Sequence, residues 1–444
     1  MEKTEVSEKQ KKMMILGASA LQVPAIKKAK ELGYLIILVD YDENAVGFEL
    51  ADVKLVVSTL DQEEVYRQAL IYEPDVVITS TSDGPVRTAA YVNEKLGKRP
   101  DLSYENSLCA TMKNNMRDRL KQCGVPIPKY YEAKDFAGFS EAVDRLNGRC
   151  IVKPADNAGS RGVVLLDEPR QAVDLLTSDG IFVECVNQEN VLEERKRRLH
   201  AYEKRLNEIM NLTYHYSRSN SRNGTVMVEE YMQGPEVSVE VMVVEGEPHI
   251  LTITDKYITP PPYFVELAHC EPSRLSTKIQ DQIREVAVQA VKAVGIENAP
   301  AHVEIKVTKG GPKIVELAAR LGGDFITSRL VPLSTGIDMV GASVVLATGQ
   351  EPDLTPKWNR GAAIHFIHAK EEQNGVLERI TVPEAFYGAE GVEEITLYKK
   401  PGETVQGTRS SNDRLGHVIT VGETPEEAME RGDQILAQIG VEIR

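Results

Sequence analysis

The chain is short of positive charge. It carries 52 Lys and Arg against 67 Asp and Glu, a formal net charge of −15. That balance argues against nucleic acid as the main partner, because binding a phosphate backbone needs a basic surface. Nucleotides remain admissible, since one local basic pocket suffices for them. Long apolar runs are also missing: none approaches the ~20 residues that span a bilayer, so no membrane partner is expected. The opening MEKTEVSEKQKK lacks the apolar centre of a signal peptide, and residues 1–12 read as a flexible leader. Cysteine is scarce. Cys109, Cys123, Cys150, Cys185 and Cys270 are odd in number and scattered, with no pair at metal-ligand or redox spacing. They read as reduced thiols in a cytoplasmic protein. Internal repeats and low-complexity tracts do not occur. What remains is ordinary for a globular protein, 42% hydrophobic and 27% charged over 444 residues, enough for roughly two to four domains.

Glycine is missing where one nucleotide fold would need it. Met14 to Leu16 reads as a buried strand and Gly17 to Ser19 as a tight turn. Val23 to Leu32 reads as a helix stopped by Gly33, and Tyr34 to Val39 as a second strand ending at Asp40. Asp75 to Thr79 adds another strand, followed by Ser82, Asp83, Gly84 and a helix. This is the β-α-β start of a parallel sheet. The loop Gly17-Ala-Ser-Ala-Leu-Gln22 lacks the second and third glycines that let a dinucleotide pyrophosphate approach the backbone. Asp40 therefore reads as a strand end beside a substrate crevice, not as a ribose ligand of a nicotinamide cofactor.

The most informative run present is Val303 to Arg320. Val303, Ile305 and Val307 alternate with His302, Glu304 and Lys306, the pattern of a strand with one buried face. Lys309, Gly310, Gly311 and Pro312 make a turn, and Ile314, Val315 and Leu317 resume a strand. A hairpin symmetric about Gly310 makes Glu304 and Glu316 cross-strand neighbours, with Cβ atoms roughly 5 Å apart. Two carboxylates so close repel unless a cation joins them, and they suit Mg²⁺, which takes its other ligands from water and phosphate. A solvated hairpin face is the plain alternative on this stretch alone.

Other segments are weaker singly. Thr111 to Arg117 opens a helix closed by Gly124, Pro126 and Pro128. Ile151-Val-Lys153-Pro154 is a short strand, and Asp156 to Val163 is a small-residue loop before the strand Val163 to Leu166. Such a loop reads as a flap over phosphates. Residues 183–213 read as a charged helical insertion with one apolar stripe at Leu192, Leu199, Leu206 and Ile209, either solvated or an oligomer contact. Val237, Val239, Val241 and Val243 alternate along a further strand, and Pro425 to Ile439 is the last helix.

Taken in order, Lys113, Lys153, the flap, Glu229-Glu230-Tyr231-Met232-x-Gly234-Pro235-Glu236, Lys256, Glu304, Glu316 and Arg320 resemble the ATP-grasp superfamily over nearly the whole chain. The resemblance implies an α/β protein. Its N-terminal Rossmann-like parallel-sheet domain would span 13–110 and precede a two-lobed ATP-grasp fold with mixed and antiparallel sheets. The small lobe would span 111–232, with the insertion 183–213, and the large lobe 233–353. A small C-terminal α/β cap, similar to that of biotin carboxylase and its relatives, would span 354–444.

It also implies roles. Lys113, Lys153 and Lys256 would meet the charge of a triphosphate, with Ser160, Arg161 and Gly162 in the flap above it. The backbone around Glu230 to Met232 would hydrogen-bond the adenine edge, the Glu229 carboxylate would accept from its amino group, and Glu236 would accept both ribose hydroxyls. Glu304 and Glu316 would hold Mg²⁺, with Mn²⁺ as an alternative. Arg320 would face the transferred phosphoryl group or a substrate carboxylate. One departure stands out: Ala318 occupies the place where the commoner pattern has a metal-ligating asparagine.

L-amino-acid ligases of the superfamily show a similar Glu-x-Ala-Ala-Arg. Phe264-Val-Glu266-Leu-Ala-His269-Cys-Glu-Pro272 resembles their F-x-E-x-x-H-x-x-P segment. By that likeness Glu266 would hold a substrate ammonium, His269 would orient the carboxylate or intermediate, and Leu321-Gly322-Gly323-Asp324 would floor the site. The expected protein is an ATP-dependent carboxylate–amine ligase working through an acyl phosphate on small-molecule substrates. A bicarbonate-using or purine-pathway ligase, or an inactive ATP-binding regulator, are the alternatives. Relatives of this fold commonly pair, which leaves a homodimer open.

Overall fold

The chain begins with strands that run parallel. The structure, a computed structural model, describes residues 10–98, 101–157, 161–167, 188–261, 263–370 and 372–444. Lys12–Leu16 lies between Leu35–Asp40 and Val76–Ile78, and Val53–Val56 forms the outer strand. The strands Lys12–Leu16, Leu35–Asp40 and Val76–Ile78 are near-continuous apolar runs because both faces are covered. Met13, Ile15, Ile36 and Leu38 enter one core, while Met14, Leu16, Ile37 and Val39 enter another. Of the expected leader only residues 10–12 are described, and Lys12 already belongs to the first strand. Asp40 accepts from the backbone N–H of Ala18 at 2.7 Å and of Asp42 at 3.0 Å, so its carboxylate braces the turn after the first strand.

The small lobe is an antiparallel sheet in the order Tyr130–Ala133, Val226–Glu230, Arg149–Pro154, Val164–Asp167. Helices Phe136–Arg145 and Gln188–Ser219 cover it. The second of these revises the expected insertion 183–213. The helix continues to Ser219, and its C-terminal half is structural. Leu206, Met210 and Tyr214 recur every four residues, so they share one face, and that face packs on Phe139, Val143, Val152 and Val228. Ile209 is only partly buried beside them, and the side chains of Leu192 and Leu199 lie outside the described residues.

The large lobe is one eight-stranded sheet. It runs Gly311–Ala318, Pro300–Thr308, Glu236–Val244, Glu247–Ile258, Glu266–Glu271, Gly361–Ile367, Gly416–Gly422, Val392–Leu397, every neighbour antiparallel. The expected alternation sets its core. Val237, Val239, Val241, Val243, Val303 and Ile305 point to one face, where helix Thr277–Val294 brings Ile283, Val286, Ala287, Ala290, Val291 and Val294. The last three strands belong to the region expected to be a small C-terminal α/β cap. That region continues the large-lobe sheet, with Ala268 opposite His365 and Glu271 opposite Ala362. No single described helix is long and apolar enough to cross a membrane. Cys109, Cys123, Cys150 and Cys270 are free thiols, and Cys185 lies outside the described residues.

Candidate active site

Glu304 and Glu316 are cross-strand partners. The hairpin reaches that pairing by a route other than symmetry about Gly310. Thr308 pairs with Gly311 across a two-residue turn, and the register holds through Ile305 and Ile314. A bulge then advances the second strand by one residue, so that Glu316 rather than Val315 faces Glu304. Without it, the Glu316 side chain would point to the opposite face.

Each glutamate meets a lysine from elsewhere. Lys256 Nζ lies 2.9 Å from Glu304 and 3.1 Å from Glu236, and Lys113 Nζ donates to Glu316 at 2.7 Å. Burial works against both lysine charges, and the carboxylates overcome it: Lys113 is raised above the usual lysine range and Lys256 well above it. Burial likewise opposes the Glu304 charge, and Lys256 with His302 holds it well below the ordinary carboxylate range. Lys306 is the second cation on Glu236, at 3.0 Å.

On the small lobe, Lys153 lies 2.7 Å from Glu229, and Arg117 grips the same carboxylate with two bonds of 2.8 and 3.0 Å. All three side chains are buried. The Glu229 carboxylate, expected to accept from an adenine amino group, is here the anion of this triad. Burial opposes its charge, but Arg117 and Lys153 hold it down to about 2. Lys153 itself is lowered by burial, opposed by Glu229, so Arg117 is the stronger partner. Arg117 was not foreseen, although it stands four residues after Lys113 on helix Lys113–Gln122 and so shares its face.

Glu230 accepts from the Lys129 backbone N–H at 3.1 Å and from Lys313 at 3.0 Å. Met232 is half-buried between the two lobes. Gly234 is required there: its φ is +137° and a Cβ would lie 1.9 Å from the Val307 carbonyl oxygen. Of the flap, Arg161 is exposed and Gly162 is buried against Asn220 and Pro154. Ser160 falls outside the described residues.

Arg320 sits at the mouth of the parallel sheet, paired with Asp83 by bonds of 2.8 and 3.3 Å. Asp83 opens the helix Asp83–Lys95 that follows the strand Val76–Ile78. Glu266 and His269 lie on the strand Glu266–Glu271. Glu266 comes 3.8 Å from Lys256, and His269 Nε2 lies 3.5 Å from Asp324. Gly322 closes over His302 and Glu240, where a Cβ would meet the His302 ring at 2.7 Å, while Gly323 faces open space. His302 Nδ1 contacts Glu240 at 2.8 Å, and Nε2 lies 3.4 Å from Glu304. Burial opposes charging of this imidazole, yet Glu240 and Glu304 push it up to about 9, so it sits as a cation between two carboxylates. In the register His302 is opposite Ala318, the residue that departs from the commoner pattern. Sequence reasoning missed the parts played by Asp83 and His302, although both stand next to or within motifs already singled out.

Beneath this floor lies a second acid. Glu271 is fully buried and accepts from the Thr254 and Ser334 hydroxyls at 2.9 Å each. Burial, reinforced by Glu240, pushes it up to about 8. Between the ordinary glutamate pKa of about 4.3 and this value, the unfolded chain releases a proton that the folded chain keeps. The stability Glu271 contributes is full at low pH and falls as pH rises to 8. Glu271→Gln should therefore gain on the parent between pH 5 and pH 9 in urea unfolding, by about 2 kcal/mol or more. A difference independent of pH would show that this carboxyl does not titrate there.

The donor set fits a hard divalent cation: two carboxylates paired across a hairpin, each with a lysine on one oxygen. Among the described residues no third His, Cys, Asp or Glu converges with them to complete a metal cluster, which leaves the remaining positions to water and phosphate oxygens, as suits Mg²⁺.

Residues 190–328 match the family profile of the ATP-grasp domain, and residues 365–444 match L-amino acid ligase C-terminal domain 2. An uncharacterized protein, y4rH, of Sinorhizobium fredii is 25% identical over 69% of this chain. The alanine–anticapsin ligase of Bacillus subtilis is 26% identical over 78% of it. The chain spans 55% of the length of the first and 72% of the second. The crystal structure of an L-amino acid ligase from Bacillus licheniformis superposes with a TM-score of 0.73 at 21% identity, covering 98% of this chain and 100% of that one.

Proposed function

Since the chain belongs to the ATP-grasp superfamily, we propose that it is an ATP-dependent carboxylate–amine ligase whose carboxylate substrate is an amino acid. The observation that carries the proposal is the pairing of Glu304 with Glu316 among Lys113, Lys256 and Arg320. A site with two carboxylates for a cation and three cationic side chains for phosphate suits phosphoryl transfer, and it needs no nucleophilic side chain.

In the proposed reaction a substrate carboxylate oxygen attacks the γ-phosphorus of ATP. The new C(O)–O–P link forms as the bond to the β-bridging oxygen breaks, and ADP leaves. An amine then attacks the acyl carbon, the C–N bond forms, phosphate departs with the C–O bond, and the amine gives up a proton. Lys113, Lys153 and Lys256 neutralise the triphosphate. Arg320 aligns the acceptor carboxylate, held in place by Asp83. Glu266 receives the substrate ammonium, and His269 faces the acyl group. Mg²⁺ or Mn²⁺, held by Glu304 and Glu316, would supply charge neutralisation on the β- and γ-phosphates. The flap around Arg161 and Gly162 would keep water from the acyl phosphate.

The test is release of ADP and phosphate from ATP–Mg²⁺ with amino acids offered singly and in pairs. Release that requires two amino acids is the expected result and makes the protein a dipeptide ligase. Release with bicarbonate alone would move it to another branch of the superfamily. ATP binding without stimulated release by any amino acid would count against the ligase reading.

A further inference from the structure

The residue that braces the substrate end of the site comes from the C-terminal region. Arg414 is 4% exposed. Its Nη1 and Nη2 donate to the two carboxylate oxygens of Asp324 at 2.9 Å each. Its Nε donates to the backbone carbonyl of Glu266 at 3.1 Å, and Nη2 also reaches the Glu266 carboxylate at 3.2 Å. The guanidinium lies over the Phe366 ring, 3.6 Å from its centre. Its four hydrogen bonds all go to two segments of the large lobe.

Both segments belong to the site. Asp324 and Phe325 follow the glycines of the floor, and they have φ of +51° and +63°. Two consecutive non-glycine residues in the left-handed region are strained, and persist only where the surroundings hold them. Arg414 holds the first. The second is held by His417, whose ring lies 4.5 Å from that of Phe325 and is fixed by Tyr398 at 2.6 Å and Glu394 at 3.1 Å. Asp324 in turn reaches His269 Nε2 at 3.5 Å. Arg414 and Ser411 engage one oxygen of Glu266, and the other faces Lys256 at 3.8 Å, beyond hydrogen-bond reach.

We infer that Arg414 is a positioning residue for the amino-acid subsite: by gripping Asp324 and Glu266 together it sets the left-handed corner after Gly323 and aims Glu266 and His269 at the substrate. The inference rests on the proposed ligase function for its kinetic consequence, but its structural consequence can be measured without any substrate. A shorter lysine point charge at 414 cannot make the paired grip on Asp324.

The experiment uses the full chain, with Arg414→Lys, Arg414→Gln and Asp324→Asn. Hydrogen exchange of peptides covering residues 321–327 should quicken by about tenfold or more in all three variants, while the hairpin Pro300–Ala318 keeps its parent protection. With whichever amino acid stimulates ADP release, the Michaelis constant for that amino acid should rise about tenfold or more. That for ATP should stay within about twofold. Arg414→Lys should lie between the parent and Arg414→Gln. Unchanged exchange at 321–327 would overturn the inference. So would a loss of protection spread evenly over the large lobe, or equal changes in the two Michaelis constants, because either describes general stability rather than positioning. If no amino acid stimulates the parent protein, the ligase reading fails, and the exchange result still decides whether Arg414 holds the corner.

Discussion

Arg117→Ala should destabilise the protein by about 3–5 kcal/mol, because it removes one member of a buried ion triad and leaves the other charges poorly compensated. Arg117 is fully buried, and the Glu229 carboxylate it grips is almost so. With Arg117 gone, Glu229 keeps only Lys153, whose own charge burial already disfavours. The loss should not stop at stability. Arg117 Nη2 also donates to the Val315 carbonyl at 2.7 Å, and Val315 is the residue that the hairpin bulge leaves without a cross-strand partner. The same guanidinium therefore ties the small lobe to the irregularity that puts Glu316 opposite Glu304. Binding of a non-hydrolysable ATP analogue with Mg²⁺ should weaken along with urea resistance. A loss below about 1 kcal/mol, the range of a solvated pair, would show that the triad is not sealed from water.

Glu316→Gln should lower the rate of ADP release by about 10³-fold or more at saturating Mg²⁺. The amide keeps the size of the side chain and can still accept from Lys113, which now bonds the carboxylate at 2.7 Å. What it loses is the negative charge. Glu316→Ala removes the Lys113 contact as well and should be no more active. If the glutamine variant turns over at the parent rate, the carboxylate is not a cation ligand, and its place opposite Glu304 serves only to pair Lys113. A rate recovered by Mg²⁺ or Mn²⁺ above the concentration that saturates the parent would point to weakened cation binding with the remaining machinery intact.

The parts legible in the sequence are those where periodicity and burial agree. The apolar runs at Lys12–Leu16 and Leu35–Asp40 and the alternation from Val237 to Val243 became the strands and cores they suggested. The pairing of Glu304 with Glu316 was also legible, although the turn is tighter than expected and the bulge makes up the difference. A bulge depends on what surrounds the extra residue, here Arg117 from another element, and no local pattern encodes it. The sequence likewise could not place Glu229. A carboxylate in a motif reads as a free acceptor until the helix carrying Arg117 is folded against it. The helix Gln188–Ser219 was misjudged because its charge hid a face with a four-residue repeat. Arg414 lay furthest from reach. It stands 148 residues from Glu266 and 90 from Asp324, and nothing near it marks it as part of the site.

The continuous eight-stranded sheet bears on how such chains can diversify. The C-terminal region is not a module joined by a linker, because its strand Gly361–Ile367 is hydrogen-bonded along Glu266–Glu271, the strand that carries Glu266 and His269. A recombination point placed before Gly361 would strip that strand of its neighbour and expose an unpaired edge, a template for adhesion between chains. It would also separate Arg414 from both carboxylates it grips. Exchange of C-terminal regions between relatives therefore replaces the partner of Asp324 and the neighbour of the Glu266 strand in one step. In this architecture, the unit of inheritance is the strand pair.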